Sequence, residues 1–165
     1  MEYKTNSLEE TYELARKFVA GLPSPAGEAN GGQAGATVVG LFGDLGAGKT
    51  SFTQGVAKAY GVKDHITSPT FVLEKIYKLN GSKYEHLVHI DAYRLEGGSE
   101  MSALGWDEVI MNPQNIIFIE WPERVEEVLP KNIIKIYFET GERENERKIK
   151  ILCPDSIYRI EDPRF

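Results

Sequence analysis

Short apolar runs alternate with segments of helical periodicity along much of the chain. Residues 36–42 and 115–121 form short, largely apolar and partly β-branched runs, which are typical of buried strands. Apolar residues recur at helical spacing over residues 8–20 and 51–60, so both segments are predicted to be amphipathic helices. Thr5–Glu10 supplies a possible N-cap side chain and first-turn acids ahead of the first helix. The succession of buried strands and helices predicts an α/β fold.

Two further pairs of strand-like segments are joined by turn signals. Residues 71–79 and 84–95 flank Asn80-Gly81, a strong short-range hairpin signal, and are predicted to pair antiparallel. Residues 133–138 and 147–152 flank a polar turn and predict a second, C-terminal hairpin. We therefore expect a three-layer α/β fold with a central mixed sheet, an inserted antiparallel hairpin and a C-terminal hairpin.

The remaining segments are connectors. Residues 97–104, 106–111 and 122–129 are predicted to form short helical turns. Residues 21–35 consist mostly of Gly, Pro, Ala and Ser and predict a flexible surface loop, to which we assign no chemistry. Without an internal repeat, residues 1–165 are expected to fold as a single domain.

Bulk composition narrows the possible functions. The 165 residues carry a formal net charge of −6, which argues against independent binding to a nucleic-acid backbone. The single cysteine, Cys153, excludes an internal disulfide and a zinc site built from cysteines. No apolar run approaches the roughly 20 residues of a membrane span. The first residues lack the basic-then-apolar pattern of a signal peptide, so a cytoplasmic protein without a membrane partner is expected.

Gly43–Thr50 matches the phosphate-binding pattern G-x-x-x-x-G-K-[ST] at every fixed position. A predicted strand precedes it and a predicted helix follows it, as a phosphate cradle requires. Glycines let backbone N–H groups approach an anion, Lys49 adds a mobile charge for the β- and γ-phosphates, and the Thr50 hydroxyl is suited to ligate Mg²⁺. The alternative, a glycine-rich turn with an exposed lysine, is disfavoured because motif and context agree. The expected nucleotide-binding residues are Asp44, Leu45, Gly46, Ala47, Gly48, Lys49, Thr50 and Ser51.

Two carboxylates end predicted buried strands. Asp91 follows residues 87–90, and Glu120 follows residues 116–119. Ligands of open α/β sheets bind at the carboxyl ends of the strands, so both acids are candidates to support a metal ion and a water molecule. Which acid would contact the metal directly stays open, and the alternative for either is a solvated strand-end acid.

For each of the other candidate site residues, a purely structural role is an alternative to a functional one. Thr70 lies where nucleotide hydrolases carry a switch segment and could sense a γ-phosphate, or it is part of a turn before a strand. Trp121 could stack on a base or a partner, or simply pack. Arg94 and Arg124 could serve as arginine fingers, or they are surface residues. The absence of an Asn-Lys-x-Asp motif disfavours a Ras-like GTPase.

Four motifs, at residues 43–50, 68–71, 89–95 and 119–124, together resemble the TsaE (YjeE) family in order and spacing. The resemblance covers roughly residues 5–152. It implies a P-loop NTPase-like fold that binds Mg-ATP, hydrolyses it slowly to ADP, and is required for N6-threonylcarbamoyladenosine modification of tRNA. The implied partners are TsaB and TsaD, whose complex the nucleotide cycle would reset, with tRNA involved only indirectly.

The resemblance also implies roles for single residues. Lys49 and Thr50 would hold phosphate and Mg²⁺, while Asp91 and Glu120 would serve the metal and the water. Thr70 would be the switch threonine, Trp121 the family tryptophan, and Leu8 would lie on the adenine side. The C-terminal hairpin departs from the family's Gly-Arg pattern at residues 141–147. Two other functional classes are alternatives to an ATPase of tRNA modification: a small-molecule kinase, and a nucleotide-gated binding module in which hydrolysis is incidental.

Overall fold

The computed structural model describes residues 1–22, 24–25, 35–63 and 73–154, in which strands and helices alternate as an α/β fold requires. The strands are β1 (Glu2–Thr5), β2 (Thr37–Phe42), β3 (Glu74–Lys78), β4 (His86–Asp91), β5 (Asn115–Glu120), β6 (Ile134–Thr140) and β7 (Arg147–Leu152). The α-helices are α1 (Leu8–Gly21), α2 (Lys49–Ala59) and α3 (Trp106–Met111), and 3-10 helices cover Gly98–Leu104, Pro122–Arg124 and Glu126–Val128.

The described strands form one mixed sheet in the order β1-β7-β6-β2-β5-β4-β3. The centre is parallel, since β2 pairs in parallel with both β5 and β6, and β5 pairs in parallel with β4. The pairs β3–β4 and β6–β7 are antiparallel, which confirms both predicted hairpins. The predicted α/β class with a central mixed sheet is thus confirmed.

Several predicted elements end earlier than their apolar patterns suggest. The strand predicted over residues 84–95 ends at Asp91, whose Oδ1 accepts a hydrogen bond from the Tyr93 N–H at 3.0 Å and turns the chain. The helix predicted over residues 122–129 is two 3-10 turns, because Val125 between them has a non-helical backbone with φ −134° and ψ 22°. Most of the predicted loop at 21–35 and residues 71–72 of the first predicted hairpin strand lie outside the described residues.

Strand β1 was not predicted. Its four residues alternate without a clear apolar face, and it pairs antiparallel with β7, far away in the sequence. The pairing joins Thr5 to Arg147, and the buried Thr5 hydroxyl lies 2.9 Å from that of Thr11 on α1. Strand β1 therefore fixes where α1 begins, close to the loop that precedes α2.

The sheet separates two apolar clusters, so helical segments cover both of its faces. On one face, α1 and α2 pack through edge-to-face rings: Phe18 lies 5.6 Å from Phe52 and 6.3 Å from Phe118 between centroids. Gly55 allows the two helices to approach closely, because a Cβ there would lie 2.8 Å from the Ala15 Cβ. None of the described helices is both long and apolar enough to cross a bilayer.

The parallel pairing brings the carboxyl ends of three strands, β2, β5 and β4, to the same edge of the sheet. Leu41 near the end of β2 is in register with Glu120 at the end of β5, and Glu120 is in register with Asp91 at the end of β4. Helix α2 starts at Lys49, seven residues after β2 ends at Phe42. Packing of α2 on the sheet therefore holds Lys49 and Thr50 above these strand ends.

Candidate functional site

The loop between β2 and α2 is shaped by glycines with positive φ. Gly43 has φ +137°, and a Cβ at this position would lie 2.3 Å from the backbone oxygen of Phe138 on β6. Gly48, with φ +109°, is the N-cap of α2 and offers no side-chain cap to the first turn. A helix N-terminus without a side-chain cap keeps its N–H groups available to an anion, and its dipole favours negative charge.

Lys49 is buried, with 4% of its surface exposed, and its ammonium group is held inside the loop. The Nζ atom donates to the carbonyl oxygens of Gly43 at 2.5 Å and Asp44 at 2.8 Å, and lies 4.1 Å from the centroid of the Trp121 ring. Burial lowers the pKa of Lys49, while the charge of Glu120 and other nearby carboxylates opposes the shift. Phosphate oxygens are stronger acceptors for an ammonium group than the neutral carbonyls that it contacts here.

Thr50 and Glu120 are in direct contact. The Thr50 hydroxyl donates to Glu120 Oε1 at 2.8 Å, which joins the first turn of α2 to the end of β5. The same Oε1 lies 2.9 Å from Nε2 of His89 on β4. Glu120 is 4% exposed and His89 is fully buried, whereas Thr50 is half-buried, so this three-residue chain runs from the first turn of α2 into the interior of the sheet.

Asp91 lies next to Glu120 at the end of the neighbouring parallel strand. It is 3% exposed, and its Oδ1 is held by the Tyr93 backbone N–H. The structure thus brings Lys49, Thr50 and both predicted acids to one edge. Of the two acids, Glu120 is the one bonded to Thr50.

Trp121 has a left-handed backbone, φ +58°, which ends β5 and turns its ring toward the loop. The backbone N–H of Trp121 donates to the backbone oxygen of Leu41 at 3.3 Å. The ring packs between the Lys49 ammonium and the ring of Tyr93, whose centroid is 5.0 Å away. Trp121 therefore packs within the site. Arg94 and Arg124 are exposed, and the Arg124 guanidinium carbon is 5.9 Å from the Tyr93 ring.

The other predicted nucleotide-binding residues differ in exposure. Leu45 is 82% exposed at the tip of the loop, between the exposed Asp44 and Gly46, whereas Ala47 is buried beneath it. Ser51 is half-buried in the first turn of α2. Leu8, at the start of α1, is 45% exposed. Thr70 lies outside the described residues.

Sequence reasoning missed two residues of this region. Arg147 starts β7, and its Nη2 donates to Gly46 O of the loop at 3.3 Å, while Nη1 donates to Glu144 O and Glu146 O at 2.7 and 2.9 Å. Nothing in its local sequence signals this contact, because β7 reaches the loop through long-range pairing. His89 carried a usable signal: it lies two residues before Asp91 in one strand, so both side chains share a face.

The donor set at this edge fits a phosphorylated ligand together with a hard cation. It combines loop N–H groups, one ammonium, one hydroxyl and two carboxylates, and oxygen ligands suit Mg²⁺. In the part of the chain that the structure describes, no three carboxylate, imidazole or thiol groups form a metal cluster by themselves. Mg²⁺ in proteins is usually held by one or two carboxylates together with substrate phosphates.

Comparison with known proteins points to one family. The family model described as "Threonylcarbamoyl adenosine biosynthesis protein TsaE" matches residues 5–149. The chain is 35% identical over 160 residues to the tRNA threonylcarbamoyladenosine biosynthesis protein TsaE of Bacillus subtilis, covering 97% of this chain and 90% of that protein. It is 34% identical over 152 residues to the TsaE of Rickettsia felis, covering 92% and 79%. The crystal structure of YdiB from Bacillus subtilis superposes with a TM-score of 0.70 at 30% identity, covering 93% of this chain and 85% of that one.

Proposed function

The chain belongs to the TsaE family of tRNA threonylcarbamoyladenosine biosynthesis proteins, and from that premise we propose that it binds Mg-ATP and hydrolyses it to ADP and phosphate. The observation that carries the proposal is the hydrogen bond of 2.8 Å from Thr50 to Glu120. It joins the phosphate-binding loop to a strand-end acid. A loop that bound phosphate for structural reasons alone would not need an acid held in this place.

The nucleotide's phosphates would be held by the N–H groups of residues 44–48 and by the Lys49 ammonium. Lys49 is already oriented inward by Gly43 O and Asp44 O, so a phosphate would take over bonds that the ammonium makes to carbonyls. The Arg147 guanidinium, at the rim of the loop beside Gly46, would add a second positive charge. On this proposal, Leu8 and Trp121 would border the nucleotide.

Mg²⁺, when bound, would neutralise phosphate charge and order the reacting groups. The Thr50 hydroxyl is prepared for this ion, because it donates its proton to Glu120 and keeps its oxygen lone pairs for a metal. Glu120 would orient a metal-bound or attacking water through its carboxylate, and Asp91 would support the same ion from the next strand. Thr70 remains proposed as the residue that senses the γ-phosphate.

We further propose that hydrolysis is slow in the isolated protein and is stimulated by TsaB and TsaD, whose complex the nucleotide cycle would reset. The support is family membership together with the acidic net charge of −6, which disfavours direct binding of tRNA. On this view the protein acts as a single domain in the cytoplasm, and tRNA is reached only through the partners.

Phosphate release from ATP tests the chemical step, with Glu120→Ala as the main variant. We expect Glu120→Ala to bind ATP with near-normal affinity, because Lys49 and the loop N–H groups are unchanged, and to hydrolyse it far more slowly. Wild-type turnover in this variant would remove Glu120 from the chemistry. Transfer of the phosphate to a metabolite, and not to water, would favour the small-molecule kinase.

Co-purification tests the switch. TsaB–TsaD, prepared as a complex, would be mixed with this protein in ATP, in ADP and without nucleotide. We expect the retained amount to depend on the nucleotide, and ATP turnover to rise when the complex is added. Equal retention in all three conditions, with equal turnover, would exclude a nucleotide-driven switch on these partners.

A further inference from the structure

His89 lies directly behind the acid on which the proposed chemistry depends. It sits on β4, on the same face as Asp91, and its Nε2 is 2.9 Å from Glu120 Oε1. Thr50 donates to that same oxygen at 2.8 Å. One oxygen of the Glu120 carboxylate is therefore held from two sides, by the first turn of α2 and by the strand next to its own.

A histidine side chain is unusual at a fully buried position within a sheet. His89 is fully buried, and its second nitrogen, Nδ1, has no hydrogen-bond partner within the described ranges. Its neighbour on the same face of β4 is Leu87, and its partner in register on β5 is Phe118. Leaving a buried polar atom unpaired costs stability, so an apolar residue would serve the core better. The one interaction that accounts for a histidine here is the bond to Glu120.

The chemistry of this bond assigns the proton. A carboxylate only accepts hydrogen bonds, so the Nε2 atom must carry the hydrogen, and Nδ1 is the nitrogen that does not need to donate. The ring is enclosed by the core, because His89 is fully buried and its neighbours on both faces of β4 are buried too. His89 is thus a fixed donor aimed at Oε1.

We propose that His89 is the positioning residue for Glu120: by holding Oε1 together with Thr50, it fixes the carboxylate so that Oε2 is presented to the site. The proposal rests on the proposed ATP hydrolysis, and it assigns to His89 no contact with the nucleotide. It follows that Lys49 and the loop N–H groups determine the affinity for the nucleotide, whereas His89 affects only the rate of turnover.

The kinetic test compares His89→Leu, which removes the donor at similar volume, with His89→Gln, whose amide nitrogen can take the place of Nε2. We expect kcat to fall by about tenfold or more in His89→Leu, since small misplacements of a catalytic group cost rates of this order. KM and the ATP dissociation constant should stay within about twofold, as expected when only transition-state interactions are lost. His89→Gln should recover most of the loss.

A double-mutant cycle decides whether the effect passes through Glu120. In the Glu120→Ala background, His89→Leu should cause no further loss of turnover, because the group that it positions is gone. An additional full loss in that background would overturn the proposal. So would a His89→Leu protein with wild-type kcat, or a His89→Gln protein as slow as His89→Leu.

A second readout needs neither nucleotide nor turnover. The chain contains three histidines, His65, His86 and His89, so imidazole nitrogen and N–H resonances can be assigned by single substitutions. We expect His89 to show the Nε2–H tautomer, with a slowly exchanging proton whose shift moves in Glu120→Ala while His86 is unaffected. The opposite tautomer, or a spectrum that Glu120→Ala leaves unchanged, would refute the contact even if His89→Leu failed to fold.

The two proposals fail in different ways. If wild-type protein releases no phosphate from ATP, alone or with TsaB–TsaD, the proposed function is wrong. If wild-type protein hydrolyses ATP and His89→Leu does so equally well, only the role of His89 is wrong.

Discussion

Gly43 is the position where the loop depends most sharply on lacking a side chain. Its φ of +137° is strained for any other residue, and a Cβ would lie 2.3 Å from the Phe138 oxygen, a backbone atom of β6 that cannot turn aside. Backbone strain of this kind costs about 1–3 kcal/mol and overpacking costs about 1–3 kcal/mol more. We therefore expect Gly43→Ala to lower the free energy of unfolding by about 2–6 kcal/mol, a large part of the roughly 5–15 kcal/mol typical of a domain.

Gly46 provides the matched control within the same loop. Its φ is +77°, but a Cβ there would meet nothing within 4 Å, so Gly46→Ala should cost only the backbone term, about 1–2 kcal/mol. Urea unfolding followed by tryptophan fluorescence measures both variants. With m-values of about 1–3 kcal/mol/M, the midpoint of Gly43→Ala should lie clearly below that of Gly46→Ala. Equal midpoints would show that the contact with Phe138 does not restrict this position, and the reasoning would be refuted.

Three further predictions concern the charges around the loop. Lys49→Met should weaken ATP binding at least about tenfold, because charge-assisted hydrogen bonds contribute about 1.5–3 kcal/mol. Calorimetry measures the affinity for ATP, and an unchanged affinity would contradict the assignment of Lys49 to the phosphates. Since the pKa of Lys49 is lowered on folding, the unfolded chain binds this proton more tightly. The free energy of unfolding should therefore rise as pH rises toward the ordinary lysine value of 10.5, and this rise should be weaker in Lys49→Met; identical pH profiles in urea would argue against a desolvated ammonium. Arg147→Ala should weaken ATP binding about fivefold, the equivalent of about 1 kcal/mol. Lys148→Ala, on the opposite face of β7, is the control and should leave the affinity for ATP unchanged. Equal ATP affinities for the two variants would remove Arg147 from the site.

Much of the fold is encoded locally and was predictable. The strands β2 and β5 are recognisable because both of their faces are buried in a parallel sheet, which demands continuous apolar runs. The two hairpins are recognisable because their partners are neighbours in the chain and are joined by turn residues. The loop Gly43–Thr50 is recognisable because close approach of a backbone to an anion needs glycines at set spacings. From these signals, Asp91 and Glu120 were expected at the ends of their strands, where the structure has them.

Other features have no local signature. Strand β1 is too short and too polar to be distinguished from a loop until it pairs with β7. Arg147 reaches Gly46, 101 positions away in the sequence, because that strand pairing and the β6–β7 hairpin carry it there. The left-handed turn at Trp121 follows from the way the chain leaves the sheet beside Leu41.

The amino-acid sequence by itself determined which segments form strands and helices, where the phosphate-binding loop lies, and that two acids end buried strands. It could do so because periodicity, glycine spacing and turn chemistry act over a few neighbouring residues. Only the tertiary structure decided that Thr50, Glu120 and His89 meet at one carboxylate oxygen, and that Arg147 borders the loop. Such contacts join residues that are far apart in the chain, and they depend on strand order and register, which are set by packing of the whole sheet.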